Sequence, residues 1–199
     1  MRLNKAVKIA AIMAVMALQA CPKKAPQVQE QETPPPAKNQ PQWVQTCAGA
    51  FSVAQSQEFY GCGAARIPEN DQFQLISADE RARVDLAKNI DAWVKDLLAG
   101  FLAATAIKDN SAATEQEKEL FAAKVSREAT EIALQGAQSL DRWRAPDGTL
   151  HALTKIRFDD LEAAIKKQTA ENAELLKIDP ALASDTINQE LTKRRVTGK

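Results

Sequence analysis

The chain has 199 residues and carries 26 Lys and Arg against 26 Asp and Glu, so its formal charge is zero. Without a basic excess it has no field to attract nucleic acid or anionic lipid, and both are excluded as electrostatic partners. Its one histidine, His151, and its three cysteines, Cys21, Cys47 and Cys62, do not supply the ligands of a usual zinc site.

Residues 1–20 have the arrangement of a secretory signal peptide. The positive charges of Arg2, Lys5 and Lys8 come first, and the apolar stretch 9–18 follows them. That stretch is about half of the roughly 20 residues that a bilayer core requires, which argues against a transmembrane helix. Removal of the signal leaves 23 basic residues against 26 acidic ones, so the mature chain carries about −3.

The sequence Leu18-Gln19-Ala20-Cys21 resembles the bacterial lipobox, in which leucine and a small residue precede an obligatory cysteine. Gln19 departs from the small or branched residue usual at its position, and an ordinary secretory signal is the alternative. The resemblance implies that Cys21 receives diacylglycerol, that cleavage occurs before it, and that its new amine is acylated. Two or three acyl chains anchor stably, at about 0.8 kcal/mol per buried CH₂. Pro22, where many inner-membrane lipoproteins have Asp, favours the outer membrane.

Residues 21–42 are expected to form a lipidated cysteine followed by a disordered linker. Prolines stand among Lys, Gln and Glu, and Val28 is the one large aliphatic residue. Such a composition cannot bury a core. At about 3 Å per residue, the linker could hold a domain up to roughly 60 Å from the lipid. We expect the domain over 43–178 and a helical or disordered tail over 179–199.

Cys47 and Cys62 remain once Cys21 is lipidated. An even number of remaining cysteines in an oxidising cell envelope favours a disulfide between Cys47 and Cys62. The bond would close a loop of fourteen intervening residues, worth about 3 kcal/mol on the chain-entropy model. Two buried thiols in a strand of small residues are the alternative.

The first elements of the domain are predicted to include a strand. Trp43-Val44 and residues 47–51 would form the entry strand or edge of a core, and residues 58–65 a second strand. Gly61 and Gly63 lack the third glycine of a dinucleotide fingerprint. In a strand they indicate that another element approaches the backbone closely.

A long helix is predicted from about 78 to 104. Ser77 is a suitable N-cap, with Glu80 at the capping-box position. Apolar residues recur every three or four positions along one face, which is expected to pack: Ala82, Leu86, Ile90, Trp93, Leu97 and Phe101. The charges of the opposite face are interpreted as solvated: Arg81, Asp85, Lys88, Asp91 and Lys95.

A second helix is predicted over 117–134, and its expected buried side is Leu120, Phe121, Val125, Ala129 and Ile132. Pro146-Asp147-Gly148 then predicts the turn of a β-hairpin. One face of its returning strand would carry Leu150, Ala152, Ile156 and Phe158. Asp159 is predicted to cap a third helix that ends near Pro180. A short helix over 181–193 and frayed residues from Arg194 would complete the chain.

Catalytic chemistry requires a nucleophile, a base and an orienting group, and no motif supplies them. His151 falls on the face opposite Leu150 and Ala152, where a half-buried strand histidine is ordinary. Helix capping accounts for Asp159, and exposure accounts for Asp160. Arg142, Arg144 and Asp141 around Trp143 form either a recognition patch or ordinary edge residues. We therefore expect no enzyme activity, no cofactor and no metal.

Several short motifs together resemble the LPP-twenty lipoprotein family, which includes flagellum-associated outer-membrane lipoproteins. They are Pro41-Gln42-Trp43-Val44, Tyr-Gly-x-Gly-x-Ala at 60–65, Ala-Arg-x-Asp-Leu-Ala-Lys at 82–88, Leu-Gln-Gly at 134–136 and Trp-x-x-Pro-Asp-Gly-Thr-Leu-x-Ala-Leu at 143–153. The resemblance covers about residues 41–170. The segment between Trp43 and Phe59 and the tail after 170 depart from the family pattern.

The resemblance implies a dodecin-like α+β fold, in which a long helix lies across a small antiparallel sheet in the order β-α-α-β-β-α. It also implies a non-enzymatic envelope protein that forms multimers or takes part in motility structures. The hypothesis is an outer-membrane lipoprotein held by Cys21, with an envelope protein or its own copies as partner. The alternative is a regulator or assembly factor for a periplasmic enzyme or secretion machine. Small-ligand binding under the long helix is a third hypothesis.

Overall fold

The computed structural model describes residues 39–47, 58–109 and 113–197. The signal peptide, Cys21 and most of the linker lie outside these ranges. The helices of the described ranges are α1 (Gln42–Thr46), α2 (Asp71–Asp109), α3 (Glu115–Gln135), α4 (Phe158–Glu171) and α5 (Pro180–Thr197), with a 3-10 turn at Ala173–Leu176. The strands are β1 (Glu58–Ala65), β2 (Gln138–Arg144) and β3 (Leu150–Arg157). From β1 to α4 the order is β-α-α-β-β-α, so the predicted α+β fold is confirmed.

The three strands form one antiparallel sheet in the order β1-β3-β2. β1 pairs with β3 from Glu58 opposite Arg157 to Ala65 opposite Leu150. The predicted hairpin is confirmed, because β2 pairs with β3 across a turn in which Gly148 has φ +87°. Side chains alternate between two faces. We call the face packed on α2 the inner face and the opposite one the outer face.

α2 lies directly on the backbone of β1. A Cβ added to Gly61 would lie under 3.0 Å from backbone atoms of Ala82 and Leu86, and one added to Gly63 would meet Ala78 and Ala82 equally closely. Any side chain in place of either glycine would hold the helix away from the sheet. The prediction that these glycines mark a close approach is confirmed.

The start of α2 differs from the prediction. The helix begins at Asp71, because the Asn70 side-chain oxygen accepts a hydrogen bond from the backbone N–H of Phe73 at 2.9 Å. Ser77 and Glu80 therefore lie within the helix and do not cap it. With 39 residues and a rise of 1.5 Å each, α2 is about 58 Å long. It extends well beyond the sheet, whose strands have at most eight residues.

The main core lies where α2 leaves the sheet and meets α3, α4 and α5. Phe101 and Phe121 stack there at 5.6 Å between ring centroids, and both are fully buried. The predicted stripe of α2 is buried except for Trp93, which is half-buried. On α3, Leu120 and Ile132 were predicted to be buried, but they are 55% and 36% exposed. The stripe is narrower than periodicity suggests, since α3 packs along one side only.

The start of α4 also corrects the prediction. Phe158 belongs to the helix, and its N-cap residue is Arg157, which makes no side-chain capping bond. Asp159 therefore lies within the first turn, where a carboxylate still interacts favourably with the helix dipole. Pro180 does not end a helix. It is the first residue of α5, a position that tolerates proline because its missing N–H has no intrahelical partner.

α5 packs into the main core through Ala183, Ile187 and Leu191. The helix continues to Thr197, so the fraying predicted from Arg194 is wrong for the described residues. Arg194 bonds the backbone oxygen of Asp96 at 2.8 Å, and the Arg195 guanidinium lies 5.0 Å from the centre of the Phe158 ring. These contacts hold the last turns of α5 against α2 and α4.

Candidate functional site

The outer face of the sheet carries a small apolar cluster. Tyr60 of β1 and Leu153 of β3 are buried there, beside the half-buried Trp143 of β2. Lys155 bonds the Glu58 carboxylate at 2.7 Å, and this bond and the Tyr60 hydroxyl hold the pKa of Glu58 below its ordinary value. A sheet face with this apolar content requires another segment to shield it from solvent.

The cover is the segment 41–47, which we call the strap. Trp43 of the strap packs on Tyr60 and Leu153 and is only 6% exposed. Its indole Nε1 donates a hydrogen bond to Asp141 Oδ2 at 3.0 Å. Trp43-Val44 was expected to form the entry strand or the edge of a core. Residues 42–46 form the short helix α1 and not a strand, and Trp43 lies in the core cluster of the outer face. Of the predicted entry strand, residues 48–51 lie outside the described ranges.

A disulfide closes the strap onto the sheet. Cys47 and Cys62 are bonded, with their Cα atoms 5.7 Å apart, so of the two sequence alternatives the structure has the bridge. Cys47 has φ +46°, a left-handed conformation that is rare for residues other than glycine. Such local strain persists only where surrounding contacts fix it. The bridge on one side of the strap and the buried Trp43 on the other supply these contacts.

Side chains of α2 close the free edge of β1. Asp85 accepts from the Cys62 backbone N–H at 2.9 Å, Asn89 donates to the Tyr60 oxygen at 3.0 Å, and Arg81 donates to the Ala64 oxygen. The three α2 residues are spaced by four and therefore lie in one row. Arg81 and Asp85 had been interpreted as part of a solvated face. The row occupies three backbone groups of the edge at which another strand could pair.

The charged residues around Trp143 bind within the chain. Arg142 forms a two-bond ion pair with Asp79, at 2.9 and 2.6 Å, and Arg144 bonds Asp71 at 3.1 Å. Asp141 binds the strap. Of the two alternatives, a recognition patch or ordinary edge residues, these bonds favour the second, because they join β2 to α2 and to the strap.

His151 lies on the outer face as expected, 5.6 Å from the Trp143 ring. Burial lowers its pKa, while the nearby Asp147 carboxylate opposes that shift. The imidazole is therefore neutral at neutral pH.

Asp159 and Asp160 do not converge on a common point. Asp159 accepts from Arg195 at 2.7 Å, whereas Asp160 accepts from Arg157, which holds the Asp160 pKa below its ordinary value. Within 39–47, 58–109 and 113–197, no group of three or more His, Cys, Asp or Glu side chains could hold a metal ion. Cys21, the predicted lipidation site, lies outside these ranges.

Two comparisons with known proteins return nothing: no protein-family model matches the chain, and no curated protein matches it. No helix within the described residues combines the length and the apolar composition needed to cross a bilayer. The candidate site is therefore defined by its geometry alone. It consists of the strap, its disulfide and the β1 edge.

Replacing both Cys47 and Cys62 by serine should lower the free energy of unfolding by about 3 kcal/mol, the chain-entropy value for a loop of this length. Urea denaturation of the domain with and without a reducing agent measures the difference. Reductant should destabilise the parent protein and leave the double variant unchanged. Equal free energies of unfolding for the oxidised parent protein and the double-serine variant would show that the bridge does not hold the strap.

Proposed function

We propose that this protein is a bacterial lipoprotein anchored in the outer membrane through Cys21, with a non-enzymatic structural or interaction role in the cell envelope. The lipobox-like sequence and the proline-rich linker provide the anchor and the spacer. The resemblance to the LPP-twenty family suggests motility structures as the setting and an envelope protein or further copies of the chain as partner.

The observation that carries the proposal is the Cys47–Cys62 disulfide. Structural disulfides persist in oxidising compartments and are rare in the cytosol. The bond thus supports export, independently of residues 1–20. It also lies only five residues after the proposed linker ends at 42, so it secures the domain at the end from which the tether leaves.

The arrangement suits a tethered domain. A mechanical force applied to the linker would act first on the strap. The disulfide would transmit this force covalently to β1, and the sheet hydrogen bonds would transmit it from β1 to β3. Without the bridge, the force would act on one short helix held by Trp43. This placement supports a load-bearing or scaffolding role.

The described residues leave several surfaces open to a partner. The strap covers Tyr60 and Leu153 on the outer face of the sheet, α2 packs on the inner face, and the α2 row bonds three backbone groups of the β1 edge, whereas the side chains of β2 are almost all exposed. The outward side of α2 carries Ile76 and Val84, which are 48% and 52% exposed. A photo-crosslinker at Val84 in intact cells should capture an envelope protein or a ladder of the protein itself, whereas one at the buried Val94 should capture neither.

Substituting Cys21 by serine should release the protein from membranes, because the acyl chains supply the anchoring free energy. Cell fractionation after a high-salt wash measures the distribution. Cys47→Ser is the matched control, since it removes a cysteine but keeps the lipid acceptor, and it should remain in the membrane fraction. Persistence of the Cys21→Ser protein in washed membranes would contradict the proposed anchor.

The length of the linker favours one second candidate, a regulator or assembly factor that reaches a periplasmic enzyme or secretion component. Residues 22–42 could span up to roughly 60 Å. Deleting residues 28–37 would about halve this reach. A scaffold at the membrane should still produce its crosslinks, whereas a reach-dependent regulator should lose them, and capture of an enzyme or secretion component at Val84 would favour the regulator.

A further inference from the structure

The disulfide lies beside a groove along the free edge of β1. This edge groove has a volume of about 430 Å³ and is lined by β1 residues that include Cys62 and by α2 residues that include Glu80, Asp85 and Lys88. Cys47 is not among its lining residues. Of the two bridged residues it is Cys62 that lines the groove, and we take it as the side at which an entering thiol attacks.

Asp85 contacts both halves of the bridge. Its Oδ2 atom accepts the backbone N–H of Cys62 at 2.9 Å and lies 3.5 Å from the Cys47 sulfur. A sulfur in a disulfide carries no proton, so the second contact is not a hydrogen bond. It places a carboxylate oxygen directly against the sulfur. The Cys62 N–H holds the carboxylate in this position.

We propose that Asp85 protects the disulfide against thiol exchange, and that the edge groove sets the order in which the bond would break. An entering thiolate attacks the Cys62 sulfur from the edge groove, a mixed disulfide forms at Cys62, and the S–S bond breaks with its electron pair on Cys47. Cys47 leaves as a thiolate and then takes a proton from water. A second thiolate attacks the mixed disulfide and releases Cys62 as a thiolate, so one disulfide of the attacking thiols is formed as the protein bridge is reduced.

The protection is electrostatic. Exchange is faster when the leaving thiolate is more stable, and the Asp85 carboxylate repels the negative charge that grows on Cys47. Both residues are half-buried, so solvent screens this repulsion only in part. Small thiols and thiol–disulfide oxidoreductases would consequently open the strap slowly. The protection would act on the bond whether or not Cys21 is lipidated.

The test is the rate at which dithiothreitol reduces the folded protein, followed by alkylation of free thiols and intact mass. Asp85→Asn keeps an oxygen for the Cys62 N–H but removes the charge, and its bridge should be reduced about fivefold faster at one fixed pH. Glu80→Gln is the matched control, because it removes the same charge from another lining residue of the groove, whereas the carboxylate in contact with the sulfur is that of Asp85. It should change the rate by less than about twofold.

Two further readouts separate protection from a general loosening of the fold. The faster reduction of Asp85→Asn should be independent of low urea concentrations, and it should disappear when both proteins are unfolded in high urea. With glutathione as the attacking thiol, peptide mapping after rapid alkylation should find the adduct on Cys62. An unchanged or slower rate for Asp85→Asn, an equal acceleration by Glu80→Gln, or an adduct on Cys47 would overturn the proposal.

Discussion

Gly63→Ala should destabilise the protein by at least about 3 kcal/mol, at the upper end of what overpacking usually costs. The added Cβ would lie within 3.0 Å of backbone atoms of Ala78, Arg81 and Ala82 on α2. Backbone atoms in the middle of a packed helix cannot rotate away as a flexible side chain can. Relief requires α2 to move off the sheet, which would also open the packing of Leu86 and Phe59. Urea denaturation followed by circular dichroism measures the loss.

Gly136→Ala is the matched control for this substitution. Gly136 has φ −88°, which alanine adopts freely, and the nearest atom to an added Cβ is Ala133 O at 3.5 Å. Its stability should change by less than about 1 kcal/mol. Close stabilities of the two variants would mean that α2 does not lie on β1 as described.

Trp43→Ala should lower the free energy of unfolding by about 3 to 5 kcal/mol, the usual range for removing a buried Trp or Phe side chain. Trp43 is the buried residue of the strap and fills the outer face between Tyr60 and Leu153. Because the disulfide still tethers the strap in this variant, the loss in free energy of unfolding measures the contribution of Trp43 while the Cys47–Cys62 bond is intact. Urea denaturation of the oxidised protein gives the total change in the free energy of unfolding. Limited proteolysis of the strap shows whether it has lifted from the sheet.

Trp43→Phe separates packing from the hydrogen bond to Asp141. It keeps an aromatic ring on Leu153 and removes the indole N–H, so it should cost about 1 to 2 kcal/mol. Trp43→Ala in the double-serine variant should then free the strap entirely and make it rapidly cleavable. If Trp43→Ala is as stable and protease-resistant as the parent protein, the strap does not cover the sheet.

The α+β fold could be predicted because local patterns determine it. Gly61 and Gly63 in an otherwise apolar strand require a close neighbour, and the stripe from Ala82 to Phe101 identifies that neighbour as a helix with one packing face. The hairpin follows from Pro146-Asp147-Gly148. Each of these features depends on residues close in sequence, where spacing is informative.

The site could be predicted only in part, because its contacts join residues far apart in the chain. Asp85 and Asn89 had no sequence feature that distinguished them from other polar residues of α2, and their role depends on the β1 edge lying beside them. The predicted first residues of the helices were wrong for a related reason. Ser77 fits a capping pattern, but Asn70 also caps well, and α2 starts at the earlier residue. α5 binds through Arg194 and Arg195 to partners that only the fold brings near.

The proposed anchor at Cys21 is tested most directly by the intact mass of the protein extracted from cell membranes with detergent. The extracted protein should begin at Cys21, carry the added mass of diacylglycerol and an amide-linked acyl chain, and retain the Cys47–Cys62 bond. Alkaline hydroxylamine should remove the ester-linked chains alone. A mature chain that begins at another residue, or one that begins at Cys21 with no lipid mass, would contradict the account.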